Sequence, residues 1–334
     1  MQTRTEAIAC FGKVPTHGDF LRVRSDGDLA RAFDEWMQQG LYAMKTRAGD
    51  RFQSTYDSGR PFGFCFQNAD AERMLVGVLR PSRDRVGRRY PLVIARESDT
   101  STRTDLTRLP VNHAAFLVAA HELAARVADG EVDYRDLEGC LDKVADMDAL
   151  QRADIELFDK YLNEKTLKSL VVDTWGYFED TRKYLVFRNM LDAAQEFGGS
   201  GSDGAASGLK LPLSTKTGFD GFEPSYWLAV CERILHPTWE RACYLWSFQS
   251  EGDGPGALLL FGGPPTASGF IALFSGHDGP SGPGQVVDVQ EVGKDHAVAA
   301  VLSLPAHYGE VLEADDLSLQ EVLRRLQVHQ ARDS

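Results

Sequence analysis

The sequence lacks any run approaching the roughly 18 consecutive apolar residues of a membrane span. Its start, MQTRTEAIACFGK, holds only Ala7 to Phe11 as an apolar stretch, too short for the core of a secretory leader. Neither a leader nor membrane insertion is expected, and the expected location is cytoplasmic. Cysteine is sparse and odd in number, with Cys10, Cys65, Cys140, Cys231 and Cys243 scattered through apolar segments such as FGFCFQ and LAVCERIL. Reduced, buried thiols are expected rather than a disulfide framework. Positive charge is in deficit: 36 Lys and Arg against 49 Asp and Glu leave a formal charge of −13. That balance repels phosphate backbones and anionic lipid, so nucleic acid is not an expected partner.

Motifs of catalysis and cofactor binding are also missing. Gly199 to Gly204 spells G-x-G-x-x-G, but a dinucleotide site needs the motif after a strand and opening a helix. Here it follows a helical pattern and leads into polar chain. Gly12-Lys13 lacks the glycine five positions earlier, and Val14 stands where a phosphate loop needs Ser or Thr. His121-Glu122 starts like H-E-x-x-H, yet Ala125 takes the place of the second histidine. Cys231, His236 and Cys243 contain no C-x-x-C pair, and no G-x-S-x-G elbow occurs. A Ser–His–Asp set is spatial rather than sequential, and no segment supports one. No metal, cofactor or catalytic residue is expected.

What is present is the composition of a folded globular protein, 43% hydrophobic and 25% charged over 334 residues. The length allows about two domains or one large one. Ile8 to Lys13 reads as a buried strand leaving into a loop, THGDFLR. Asp26 to Arg47 carries Leu29, Phe33, Trp36, Met37, Leu41 and Met44 at helical spacing, with Ser25 or Asp26 as N-cap. FGFCF, MLVGVL and YPLVIA read as consecutive strands of an antiparallel meander. From Asn112 to about Gln195 the pattern fits three or four helices. Gly198 to Gly208, GGSGSDGAASG, reads as a flexible interruption. Beyond it, a helix is expected over Ser225 to Leu235, strands at ACYLWSF and ALLLF, and a short helix over Ala267 to Phe274. VVDVQEV and AVAAVLSL are further strand candidates, and Ser318 to His329 is a terminal helix capped near Asp316 or Ser318. The expected fold class is α+β, a mainly antiparallel sheet covered by helices. Residues 1–276 form one α/β domain in this reading, and 277–334 an acidic C-terminal extension. From Glu251 onward, 12 acidic and 4 basic residues concentrate the negative charge.

Two segments carry more chemistry than a loop requires. The first, Gly12-Lys13-Val14-Pro15-Thr16-His17-Gly18-Asp19-Phe20, places Lys, His and Asp within a turn shaped by Gly and Pro. Read as structure, Asp19 caps the turn and Phe20 anchors it; read as a site, Lys13, His17 and Asp19 are presented for binding. The second segment, Arg80 to Pro91, holds five arginines and one aspartate, a local charge of +4. It fits either an internal arginine–carboxylate network or a dock for an anion or acidic partner, because guanidinium forks bind carboxylate and phosphate bidentately.

FGKVPTHGDFLR, the helix with DEWMQQGL, RPFGFCF and LVGVLRPSRDRVGRRYPLVIA together resemble the TagF (ImpM) family of bacterial type VI secretion-associated proteins. SYWLAVCERIL, LWSFQ and LLLFGGPP are similar to that family's second half, so the likeness runs roughly from Ala7 to Phe274. The resemblance implies a non-enzymatic cytoplasmic accessory protein. It would repress type VI secretion after translation by binding the forkhead-associated scaffold protein Fha and limiting assembly of the apparatus. The motif positions it picks out are Gly12, Lys13, Pro15, Gly18, Asp19 and Phe20, then Pro81, Ser82, Asp84, Arg85, Gly87, Arg88 and Pro91. An alternative reading remains, an enzyme or anion- or phosphoprotein-binding module using the Lys13–Asp19 loop and the Arg80–Arg89 turn.

Overall fold

FGFCF, MLVGVL and LVIA are apolar at successive positions because both faces of the sheet they enter are covered. In this computed structural model, which describes residues 7–67, 73–99, 105–145, 151–197, 208–216, 218, 220–235, 243–249, 254–274, 286–290, 301 and 303–330, those runs form the centre of a single sheet. Its strands are β1 (Ala9–Gly12), β2 (Leu21–Val23), β3 (Phe62–Gln67), β4 (Arg73–Arg80), β5 (Leu92–Asp99), β6 (Gly208–Leu213), β7 (Cys243–Ser247), β8 (Gly256–Phe261) and β9 (Val286–Asp288). Their order is β2-β1-β5-β4-β3-β7-β8-β6-β9. The pairs are antiparallel except β6 with β9, which is parallel. The fold is mixed α+β with a mainly antiparallel sheet.

Alternation along each strand divides the core in two. Phe62, Phe64 and Phe66 of β3, with Leu75 and Leu79 of β4, face one layer built from α1 (Asp28–Ala48), α2 (Phe52–Asp57) and α10 (Ala267–Phe274). There Phe33 of α1 stacks on Phe64 with ring centroids 4.3 Å apart. Cys65, Met74, Val76, Val78 and Ile94 face the opposite layer. That layer holds α3 (Leu109–Asn112), α4 (Ala114–Ala128), α5 (Leu137–Ala145), α6 (Gln151–Glu164), α7 (Leu167–Trp175), α8 (Arg182–Phe197) and α9 (Phe222–Leu235), followed by α11 (Ala306–Glu313) and α12 (Leu319–Gln330). Helix α9 is buried from Glu223 to Cys231, as a helix enclosed on all sides by sheet and other helices must be.

Several elements differ from the sequence reading. Between Asn112 and Gln195 the chain makes more helices than the expected three or four, because the short stretches LEGCLDKVA and LKSLVVDTW fold as α5 and α7. Thr166 caps α7 by accepting from the Ser169 amide, and Gly176 ends it in a left-handed conformation. Helix α1 starts after Gly27 without a side-chain cap, so neither Ser25 nor Asp26 serves. THGDFLR is not all loop, since Leu21–Val23 pairs with β1 as an edge strand. Of VVDVQEV, the described residues 286–290 contribute the three residues of β9. Val301 and Ser303, expected in a strand, are helical; the segment 291–300 lies outside the described residues, as do His236 and the interruption 198–207. The chain after the interruption joins the first sheet, with β7 pairing with β3. Within 277–334, β9 pairs with β6 and α12 packs against α6 and α9. All five cysteines are free and four are buried; burial pushes the Cys10 thiol up to about 12. No helix among the described residues is long and apolar enough to cross a membrane.

Candidate functional site

Antiparallel neighbours bring the end of one strand beside the start of the other, and β1 pairs with β5 in that sense, with Gly12 opposite Leu92. The loop after β1 and the arginine turn before β5 are therefore forced together although they are far apart in sequence. The approach is close at Gly12, whose φ is +126° and where a Cβ would stand 2.0 Å from the Pro91 carbonyl oxygen. Only glycine fits there.

Asp84 fastens the two segments. Its side chain is fully buried, and its Oδ2 accepts Lys13 Nζ at 2.9 Å and Arg88 Nε at 2.6 Å. Its Oδ1 accepts the Val86 and Arg88 amides at 3.1 and 2.8 Å, which shapes the turn as an aspartate-centred loop. Burial alone would raise this carboxyl; the hydrogen bonds from Lys13 and Arg88 outweigh it and hold Asp84 well below the ordinary carboxylate range. Arg88 also donates to the Gly18 carbonyl at 2.7 Å, and the Arg85 amide donates to the His17 carbonyl at 3.0 Å. Gly87, with φ +87°, closes the turn.

Around this centre lie Asp57, Tyr56 and Asp34, which the sequence reading did not single out. Arg89 forks onto both oxygens of Asp57 at 2.8 and 2.6 Å. The Tyr56 hydroxyl accepts from the Ser82 amide at 3.2 Å, and the Tyr90 amide donates to the Ser82 carbonyl at 3.1 Å. Asp34, buried on the apolar side of α1, accepts from the Tyr90 hydroxyl, from Arg22 at 2.8 Å and from Gln38 at 3.1 Å. Its only trace in the sequence is an acidic residue beside Phe33 on the core stripe of an amphipathic helix.

The expected binding loop does not gather its side chains. Lys13 turns to Asp84, the His17 ring packs on Tyr134 with centroids 4.4 Å apart, and Asp19 is exposed. Among the described residues Asp19 makes no hydrogen bond or ion pair, so it does not cap the turn. Phe20 does anchor, edge-on to Tyr90 at 5.2 Å with Arg22 over its face. Pro15 and Pro81 are half-buried and Pro91 and Ser82 buried, shaping the chain rather than presenting groups. Arg85 is exposed, with Arg83 beside it on the turn. Among the described residues no three His, Cys, Asp or Glu side chains converge as metal ligands. The arrangement is an ion-paired knot whose outward side presents arginines.

Comparison with known proteins places this knot inside a family domain. Residues 9–144 match the family described as the TagF N-terminal domain, type VI secretion system-associated. A crystal structure of PA0076 from Pseudomonas aeruginosa PAO1 is similar at 17% identity and a TM-score of 0.48, covering 83% of this chain and 99% of that one. The comparison with curated proteins returned no match.

Proposed function

We propose that this chain, which carries the type VI secretion-associated TagF N-terminal domain over residues 9–144, is a cytoplasmic, non-enzymatic repressor of the apparatus. It acts after translation by binding the forkhead-associated scaffold protein Fha and so limiting assembly. The observation that supports contact rather than catalysis is the Asp84 knot. Lys13 and Arg88, two of the cations an anion-processing site would use, are held by a buried carboxylate, while Arg83 and Arg85 are left facing outward on a fixed turn. A rigid turn with outward guanidinium groups suits recognition of a partner surface.

The competing reading, an enzyme or an anion-binding module built on Lys13, His17 and Asp19, has weaker support because those three side chains point to different surroundings. Calorimetric titration of the full chain with purified cognate Fha tests the proposal, alongside secretion measured on overexpression. Saturable binding with reduced secretion is expected; no heat of binding together with unchanged secretion would refute it.

A further inference from the structure

A shallow groove of about 550 Å³ runs between α1, the start of α2 and the arginine turn. Leu41, Phe52 and Tyr90 contribute apolar surface to it, and Tyr42, Lys45 and Arg88 also line it. Tyr42 is 77% exposed; Val86, next to the lining residue Gly87, is 69% exposed. These are the two most exposed large hydrophobic side chains among the described residues, and Tyr42 lines this groove. Exposed apolar groups gathered at a concave site mark a contact surface more than the same groups scattered singly.

The charge of the groove opposes that of the molecule. Its lining includes Lys45, Arg88 and Arg89 and no carboxylate. Asp84 and Asp57 reach Arg88 and Arg89 from outside the lining. Lys45 remains, in no ion pair among the described residues, and Asp84 is shared between Arg88 and Lys13, so its one charge does not cancel both. A chain of net charge −13 thus keeps a local surplus of positive charge beside the solvent-facing Tyr42 ring. A long polyanion such as nucleic acid is opposed by the net negative charge of the whole chain, whereas a short acidic protein segment can sit on the local surplus alone.

We propose that this groove docks an acidic protein segment bearing one large apolar side chain. The apolar side chain sits against Tyr42, and the segment's carboxylates meet Lys45 and Arg88, both of which line the groove. That Fha supplies the segment rests on the function proposed above; the chemistry of the groove does not.

The test uses the full chain and a fluorescein-labelled synthetic peptide of Asp and Glu residues around a central Phe-Leu pair, read by fluorescence anisotropy. The wild type is expected to bind it, less tightly as salt rises from about 0.05 to about 0.5 M. The double variant Tyr42→Ala/Lys45→Glu, changed at two exposed helix positions, is expected to lose at least about tenfold in affinity. Tyr177→Ala, an exposed aromatic on the opposite layer, should bind like the wild type, and circular dichroism should show all three equally folded. No peptide binding, or equal binding by the double variant, overturns the proposal. Equal binding of a thymidine oligonucleotide with the same sensitivity to the double variant overturns its assignment to a protein segment. Fha binding that neither the peptide nor the double variant weakens removes Fha as the occupant, whereas Fha that fails to bind the wild type refutes the proposed function alone.

Discussion

Asp84 accepts the Lys13 ammonium at 2.9 Å across 71 positions of sequence, and this ion pair joins the Arg88–Gly18 and Arg85–His17 hydrogen bonds in tying the loop after β1 to the turn before β5. Replacing the carboxylate leaves Lys13 facing an amide in a part-buried site and also weakens the two turn amides' acceptor. Asp84→Asn is expected to lower stability by roughly 3 kcal/mol, the scale of half-breaking a buried ion pair. Lys13→Met should cost less, because Arg88 still pairs with Asp84. Urea unfolding midpoints of the three proteins check the order.

Acid should weaken the fold in two stages. Burial, and after it the charge of Arg96, lower the His113 imidazole from 6.5 to about 3. Between those values the unfolded chain binds the proton and the folded chain does not, so stability falls as pH falls through that window. Asp84 acts lower down: with its folded value depressed below 3.8, its contribution is complete above the unfolded value and is lost as pH falls through the folded one. The urea midpoint of the wild type is expected to decline from about pH 6.5 and more steeply below about pH 4. Asp84→Asn should flatten the second stage and leave the first.

Gly12 and Gly87 both have positive φ but differ in their surroundings. A Cβ at Gly12 meets the Pro91 carbonyl, whereas at Gly87 it meets nothing within 4 Å. Gly87→Ala is expected to cost only the left-handed conformation, about 1 kcal/mol. Gly12→Ala must also push β1 from β5 and should cost well over about 2 kcal/mol. Thermal melts that rank the two variants equally would contradict this.

Deleting residues 277–334 removes Val311, Leu312, Leu319, Val322, Leu323 and Leu326, all buried. At about 1.5–3 kcal/mol for each buried side chain, the loss approaches the whole net stability of about 5–15 kcal/mol of an ordinary domain. The truncated chain is expected to lose cooperative urea unfolding and to bind a hydrophobic dye. A sharp, wild-type-like transition would show the segment to be dispensable.

Where side-chain pattern alone dictates structure, the sequence was legible: β1, β3, β4, β5, β7 and β8 are apolar runs, and α1, α9, α10 and α12 show helical spacing or apolar density. Strand β6 escaped because GLKLPL puts a lysine and a proline into a short run after a glycine-rich stretch, and β2 because three residues carry no period. Of the site, Lys13, Asp84 and Arg88 were visible as residues but not as partners, since only the β1–β5 pairing brings them together. Asp34 was hidden by its apolar neighbours on α1. Tyr42 and Lys45 lie off the apolar stripe of α1 and were not singled out, and only the position of the turn opposite makes them one side of a groove.

The place of β7 beside β3 bears on how the chain is made. When a ribosome has delivered residues 9–144, the matched family domain, FGFCF has β4 on one side and an unpaired backbone on the other. Its partner, Cys243–Ser247, emerges only about a hundred residues later. Until then the nascent protein exposes an apolar sheet edge, the kind that pairs with other chains. The first half of this molecule therefore carries an aggregation hazard during synthesis that the second half removes.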